Sequence, residues 1–143
     1  MNLLVAVDLS PAADRVIAAA ERVARAIDAQ VYVLHVAEPD PDFVGYDAGP
    51  DAVRQQLADA YRREHRMVQG LAERLRAAGV SATALLIQGP TAATTLREAE
   101  RLEAELIVVG SHGHGALYDV LVGSYSAAIL RASTVPVLVV PTR

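Results

Sequence analysis

The residues with the clearest chemical potential form a glycine constellation in the last third of the chain. The chain reads Gly110-Ser-His-Gly113 and, after nine further residues, Gly123-Ser124. An apolar run at residues 106–109 precedes it and is typical of a buried strand, whereas residues 126–131 favour a helix. Glycine lets a backbone turn tightly and approach a ligand. Because a helix start offers unpaired N–H groups and a positive dipole end, this arrangement predicts a phosphate-binding loop.

The predicted helix start supplies the donors for that phosphate. The Ser124 hydroxyl and the backbone N–H groups of Tyr125 and Ser126 are expected to meet it, and the Ser126 hydroxyl is a further candidate donor. The alternative is that the glycines only shape turns, as they do in many α/β loops. The agreement of spacing, strand and helix favours the binding interpretation.

A carboxylate stands at the end of the first predicted strand, where Asp8 follows the apolar run at residues 2–7. A carboxylate near a phosphate chain repels it unless it bonds a ribose hydroxyl or holds a divalent cation such as Mg²⁺. The alternative role for Asp8 is to cap the next helix. Ser10, followed by Pro11, is the better-placed cap, so we predict that Asp8 belongs to the site.

Two histidines flank Gly113, and their spacing invites a metal or general-base interpretation for His112 and His114. Two histidines without a carboxylate or a third ligand nearby make a poor metal site. We therefore place both in the phosphate loop, with no catalytic role assigned. His35, on a predicted strand, is interpreted as structural.

Three segments can be set beside the glycine pattern: the opening Val5-Ala-Val-Asp8-Leu-Ser10, the run Leu34-His-Val36 and the closing Val135-Pro-Val-Leu-Val-Val140. Together these four features resemble the ATP-binding branch of the universal stress protein family. The resemblance covers nearly the whole chain. It implies a regulatory protein of the stress response that binds ATP, ADP or AMP with Mg²⁺, Asp8 being the metal ligand, and that acts on an unidentified regulated protein.

The resemblance also implies the residues of the nucleotide site. Val36 matches a position that contacts adenine, although a plain core valine is the alternative. His114 stands where the family often has arginine, so a permanent charge near the phosphates is lost. The predicted nucleotide-binding residues are Ala6, Val7, Asp8, Val36, Val109, Gly110, His112, Gly113, His114, Gly123, Ser124, Tyr125 and Ser126.

The elements that must position these residues alternate along the chain, with strands at residues 2–7, 30–36, 82–87, 106–109 and 137–140. Helical patterns lie between them, including residues 52–78, which end before Gly79. This alternation predicts one α/β domain over residues 1–143, a three-layer doubly wound parallel sheet of Rossmann-like or flavodoxin-like type. The expected strand order is 3-2-1-4-5. The irregular stretch at residues 38–50 is a solvated loop or a lid over the site.

Composition excludes several functions. A net charge of −4 and a pI near 5.5 argue against nucleic-acid partners, and the apolar runs are far shorter than the ~20 residues of a membrane span. No basic leader is visible and cysteine is absent, so a cytoplasmic location is expected. All 13 basic residues are arginine, which excludes a Walker A lysine. A slow ATP hydrolase or nucleotide transferase on the same scaffold is the alternative function, and an interaction module with a vestigial site is a third.

The last strand predicts the oligomeric state. Residues 135–141, Val135-Pro-Val-Leu-Val-Val-Pro141, are apolar on both faces and carry no charge. An open edge of this kind promotes pairing with other chains, and the resemblance implies dimerisation here. We expect a homodimer through this segment. Because the glycine loop belongs to the preceding strand and helix, the site is expected not to depend on the last strand.

Overall fold

A single parallel sheet of five strands forms the centre of the molecule. The computed structural model describes residues 1–39, 51–112 and 122–142, and the sheet order is β3-β2-β1-β4-β5, as predicted. The strands are β1 (Asn2–Ala6), β2 (Gln30–Ala37), β3 (Ala82–Gln88), β4 (Leu106–Gly110) and β5 (Val137–Val140).

Helices cover both faces of this sheet, which makes the fold a three-layer α/β sandwich. They are α1 (Ala13–Ile27), α2 (Asp51–Ala77), α3 (Thr91–Arg101) and α4 (Ser124–Ala132). Helices α1 and α2 share one buried cluster with alternate strand residues such as Leu3 and Val5. Helices α3 and α4 share the other cluster with the intervening residues, among them Leu4 and Ala6. Burial on both faces explains why β1 is a continuous apolar run.

The ends of the elements test the capping predictions. Gly79 has φ +83°, the left-handed conformation expected just beyond a helix, so its predicted role at the end of α2 is confirmed. The predicted start of α1 is wrong, since the helix begins at Ala13 rather than at Pro11. Ser10 does accept a hydrogen bond from the Ala12 N–H (3.2 Å). That bond closes a separate turn before the helix, in which Ala13 N donates to Ser10 O.

Strand β5 lies at one edge of the sheet and pairs with β4 on its inner side. The order of the strands also makes β1 the switch point, because the chain runs from β1 to β2 on one side and reaches β4 on the other. No helix within the described residues is long and apolar enough to cross a membrane.

Candidate functional site

A pocket of about 850 Å³ opens at the carboxyl ends of the strands, on the switch-point side of the sheet. Its wall comes from the loop after β1, the end of β2, helix α2, the start of α3 and the region between β4 and α4. Ten of the predicted nucleotide-binding residues line it, namely Ala6, Val7, Asp8, Val36, Gly110, His112, Gly123, Ser124, Tyr125 and Ser126.

Val109 is the one described residue of the predicted set that does not line the pocket. Val109 is fully buried, and its side chain packs in the core cluster beneath α3 and α4. Val109 does not line the pocket in this structure, although Ala6, its partner in the sheet register, does. Gly113 and His114 lie outside the described residues, as do residues 40–50 of the predicted lid.

Asp8 uses its two carboxylate oxygens differently. Oδ1 accepts a hydrogen bond from the Ser10 N–H at 3.0 Å, which stabilises the turn between β1 and α1. Oδ2 is buried and has no hydrogen-bond partner within the part of the chain that the structure describes. A buried acceptor without a donor is costly unless something else supplies one. Asp8 therefore has the turn-forming role that the sequence placed second, and it is also one of the residues that line the pocket.

Leu9, next to Asp8, adopts an unusual backbone conformation. Its φ is +61°, in the left-handed region that a leucine rarely occupies, and it lines the pocket. This conformation costs a non-glycine residue about 1–2 kcal/mol, and such strain concentrates at functional sites. The left-handed residue turns the chain sharply between Asp8 and α1, whose first residue, Ala13, also lines the pocket.

The start of α4 presents unpaired donors to the same pocket. Ala127 N makes the first bond of the helix, to Gly123 O at 2.9 Å, and Gly123 N donates to Ser111 O at 2.7 Å. Helix geometry therefore leaves the N–H groups of Ser124, Tyr125 and Ser126 without intrahelical acceptors. An anion placed there would gain these donors and the positive end of the helix dipole.

The Ser126 side chain has a structural role in this arrangement. Its hydroxyl donates to Gly110 O at 2.5 Å, and Ser126 is buried. The predicted use of this hydroxyl as a phosphate donor is therefore corrected, because its hydrogen already bonds the end of β4. The backbone N–H group of Ser126 is still one of the groups at the start of α4 that have no intrahelical acceptor.

The two described glycines of the constellation lie where a side chain would be crowded. A Cβ at Gly110 would lie 3.0 Å from Thr142 Cγ2 and 3.3 Å from Val16 Cγ2. A Cβ at Gly123 would lie 3.3 Å from Ser111 O and 3.6 Å from His112 Cα. Glycine at both positions thus lets α1, the C-terminal segment and α4 approach the end of β4.

The Tyr125 side chain turns from the pocket toward α3. Its hydroxyl lies 2.8 Å from Thr95 Oγ1, which in turn donates to Thr91 O at 2.9 Å. Burial raises the pKa of Tyr125 to about 12, although the hydrogen bond with Thr95 acts in the opposite direction. The neutral phenol therefore links α4 to the first turn of α3, and Thr91 itself lines the pocket.

His35 is a pocket residue that the sequence interpretation treated as merely structural. Its Nδ1 lies 2.8 Å from Val7 O, and its Nε2 lies 3.9 Å from Glu64 Oε2 on α2. Because a carbonyl only accepts, Nδ1 carries a proton in this arrangement. The sequence feature that could have identified His35 as a pocket residue is its place at the carboxyl end of β2, beside Val36.

The C-terminal residues were also missed. Thr142, which follows β5, lines the pocket, and its N–H donates to Ser111 Oγ at 3.2 Å. The premise that the glycine loop belongs only to the preceding strand and helix is therefore incomplete.

The charged residues that line the described part of the pocket are carboxylates. Asp8, Glu38 and Glu64 contribute to the wall, and no described lining residue is an arginine. Among the described residues, the start of α4 is the feature that attracts an anion.

These features define a doubly wound α/β protein with a pocket at the switch point. Residues 1–141 match the model of the universal stress protein family, and the chain belongs to that family. A universal stress protein of Thermus aquaticus is 35% identical over 145 residues, which cover 97% of each chain.

Solved structures share the same architecture. The universal stress protein UspA of Lactobacillus plantarum superposes with a TM-score of 0.82 at 23% identity, covering 98% of this chain and 97% of that one. A universal stress protein in complex with cAMP gives 0.75 at 22% identity, covering 100% and 98%. One from Archaeoglobus fulgidus in complex with dAMP gives 0.67 at 21% identity, covering 98% and 97%. At these identities the likeness concerns the fold.

Proposed function

We propose that this protein binds an adenine nucleotide in the pocket at the switch point and acts as a nucleotide-dependent regulator in the stress response. The observation that carries the proposal is that hydrogen-bond donors and a carboxylate acceptor come from residues that line one cavity. Ser124, Tyr125 and Ser126, whose N–H groups have no intrahelical acceptor, line the same pocket as Asp8, whose Oδ2 has no hydrogen-bond partner among the described residues. A nucleotide offers phosphate oxygens to the former and ribose hydroxyls to the latter.

The base is proposed to be adenine because two structural neighbours were solved with cAMP and dAMP. In the pocket, the buried Val36 and the neighbouring Ala6 and Val7 form the apolar wall that such a base needs. The Ser124 hydroxyl is exposed and accompanies the α4 N–H groups as a phosphate donor.

ATP with Mg²⁺ is the nucleotide form that we propose. Asp8 Oδ2 fits a cation because it is a buried carboxylate oxygen without a donor. Within the described residues, no group of three His, Cys, Asp or Glu residues is placed to hold a metal. Mg²⁺ commonly takes one or two carboxylates and completes its shell with phosphates and water. Bound there, it would neutralise phosphate charge close to Asp8 and Glu64.

A binding and regulatory role is proposed in preference to catalysis, in the cytoplasm and as a homodimer. Phosphoryl transfer needs a positioned base and a cation at the transferred group. The sequence from residue 110 to residue 123 contains neither lysine nor arginine. Nucleotide-dependent contact with another protein needs neither of those groups.

The test is calorimetry with ATP, ADP and AMP, each with Mg²⁺ and with EDTA, and with GTP as the control for the base. Native mass spectrometry of the freshly purified protein identifies any nucleotide that it carries. We expect Mg-ATP to bind more tightly than Mg-GTP by at least about tenfold, the effect of roughly one lost base contact. Equal affinity for both, or no binding of any adenine nucleotide, would contradict the proposal.

A further inference from the structure

A polar cluster joins the tail of β5 to the first residues of the glycine loop. Thr142 N donates to Ser111 Oγ at 3.2 Å, and Thr142 Oγ1 lies 3.3 Å from the same atom. The Thr142 hydroxyl also donates to His112 O at 3.5 Å. Ser111 Oγ in turn lies 3.0 Å from His112 Nδ1. Thr142 thus holds Ser111 and His112, which lie 31 and 30 positions before it in the chain.

These bonds provide acceptors for the hydroxyl hydrogens of Ser111, which is buried, and of Thr142. Ser111 is 5% exposed, so its side chain must find its partners within the protein. Its oxygen accepts the Thr142 N–H, and its hydrogen goes either to Thr142 Oγ1 or to an unprotonated His112 Nδ1. The Thr142 hydroxyl hydrogen then goes to His112 O. Every polar atom of the cluster has a partner in either arrangement.

Ser111, the first residue of the Ser111-His112 dipeptide, also supports helix α4. Ser111 N donates to Val140 O at 2.8 Å, and Ser111 O accepts the Gly123 N–H at 2.7 Å. Gly123 is the N-cap of α4, so the position of Ser111 sets where the free N–H groups of that helix lie relative to the loop. The Thr142 methyl group occupies the space beside Gly110.

We propose that Thr142 is a positioning residue of the nucleotide site, which couples the tail of the edge strand to ligand affinity. Its hydroxyl and amide hold Ser111 and His112 so that the end of β4 and the start of α4 face one ligand together. Its methyl group keeps the end of β4 in contact with the C-terminal segment. The inference rests on the proposed function for its ligand, and on the described hydrogen bonds for its geometry.

The experiment compares Thr142→Val, which keeps the shape and removes the hydroxyl, with Thr142→Ser, which keeps the hydroxyl. Mg-ATP affinity is measured by calorimetry, and amide hydrogen exchange of Ser111, His112 and Gly123 by NMR. We expect Thr142→Val to weaken binding about three- to tenfold, the effect of one net hydrogen bond. Exchange at these three amides should accelerate, and Thr142→Ser should stay within about twofold of the wild type in affinity.

The control is Thr83→Val, which removes an exposed hydroxyl from β3 that bonds Gln30. It should change neither affinity nor exchange at the three amides. Unchanged affinity in Thr142→Val, or equal loss in Thr142→Ser, would overturn the proposal. If the wild type binds no adenine nucleotide, the proposed function fails. The positioning role is then decided by exchange alone, and unaltered exchange in Thr142→Val would overturn it.

Discussion

Asp8 has one observed role and one proposed role, on different atoms of its side chain. Oδ1 holds the turn through the Ser10 N–H, and Oδ2, which has no partner among the described residues, is proposed to serve the ligand. An asparagine keeps a carbonyl oxygen for the turn and loses the negative charge, whereas an alanine loses both. The two substitutions therefore separate the structural role from the binding role.

For Asp8→Asn we expect little change in the free energy of unfolding and a loss of Mg-ATP affinity of about tenfold or more, since bonds to charged groups are worth roughly 1.5–3 kcal/mol. Asp8→Ala should additionally lose about 1 kcal/mol of stability with the turn bond. Urea denaturation and calorimetry on both variants provide the measurement. Wild-type affinity in Asp8→Asn would remove this carboxylate from the site.

Tyr125 gives the molecule a specific dependence on alkaline pH. Its pKa is raised by burial to about 12, whereas an unfolded chain ionises tyrosine near pH 10. Between about pH 10 and 12 the unfolded chain loses a proton that the folded chain keeps, so stability falls as pH rises. The neutral phenol contributes fully below that range. Urea denaturation at several pH values should show a shallower decline for Tyr125→Phe, and parallel declines would contradict this origin.

At the scale of elements, the junction between β4 and α4 depends on close backbone approach at Gly123. A methyl group there would meet Ser111 O at 3.3 Å and must push the loop away from α4. By contrast, a methyl group at Gly70, within α2, has nothing within 4 Å. The two glycines thus serve as test and control for the same substitution.

Gly123→Ala is expected to cost about 1 kcal/mol of stability, because alanine is a poor N-cap. It should also weaken nucleotide binding about fivefold, the effect of roughly one displaced hydrogen bond. Gly70→Ala should instead stabilise the protein by about 1 kcal/mol, since alanine favours a helix interior, and leave affinity unchanged. Thermal unfolding and calorimetry distinguish them. Equal behaviour of the two variants would show that approach at Gly123 is unimportant.

At the scale of the whole molecule, the proposed dimer depends on pairing through the open edge of β5. Pro136 O and Val140 O accept hydrogen bonds from β4, so the N–H groups of the intervening Val137 and Val139 point to the open side. Leu138 packs against the cluster of α1 and α2. A charge at Leu138 would therefore disturb the core as well as an interface.

Val139→Pro tests the edge without that complication, because proline removes an outward N–H and leaves the β4 ladder intact. We expect the wild type to be a dimer at micromolar concentration and Val139→Pro to dissociate at least about tenfold more readily. Light scattering measures both, and Leu138→Pro, which breaks the inner ladder, should lose stability instead. A monomeric wild type would contradict pairing through β5.

Much of the architecture was predictable because it depends on local pattern. Continuous apolar runs such as β1 indicate strands buried on both faces, and their alternation with helices leaves few topologies. Gly79 was predictable because a left-handed residue after a helix favours glycine. The start of α1 was not, because the bonds of Ser10 fit both a helix cap and the separate turn that is observed.

The sequence alone determined the family resemblance and the strand order, and it named the two sides of the proposed site, Asp8 and the start of α4. These follow from spacing along the chain and from the rule that ligands bind beyond the carboxyl ends of parallel strands. Tertiary structure decided the rest, because hydrogen bonds between distant segments leave no periodic signal. Only the fold brings Thr142 to Ser111 and His35 to Val7, and only the fold uses the Ser126 hydroxyl at Gly110.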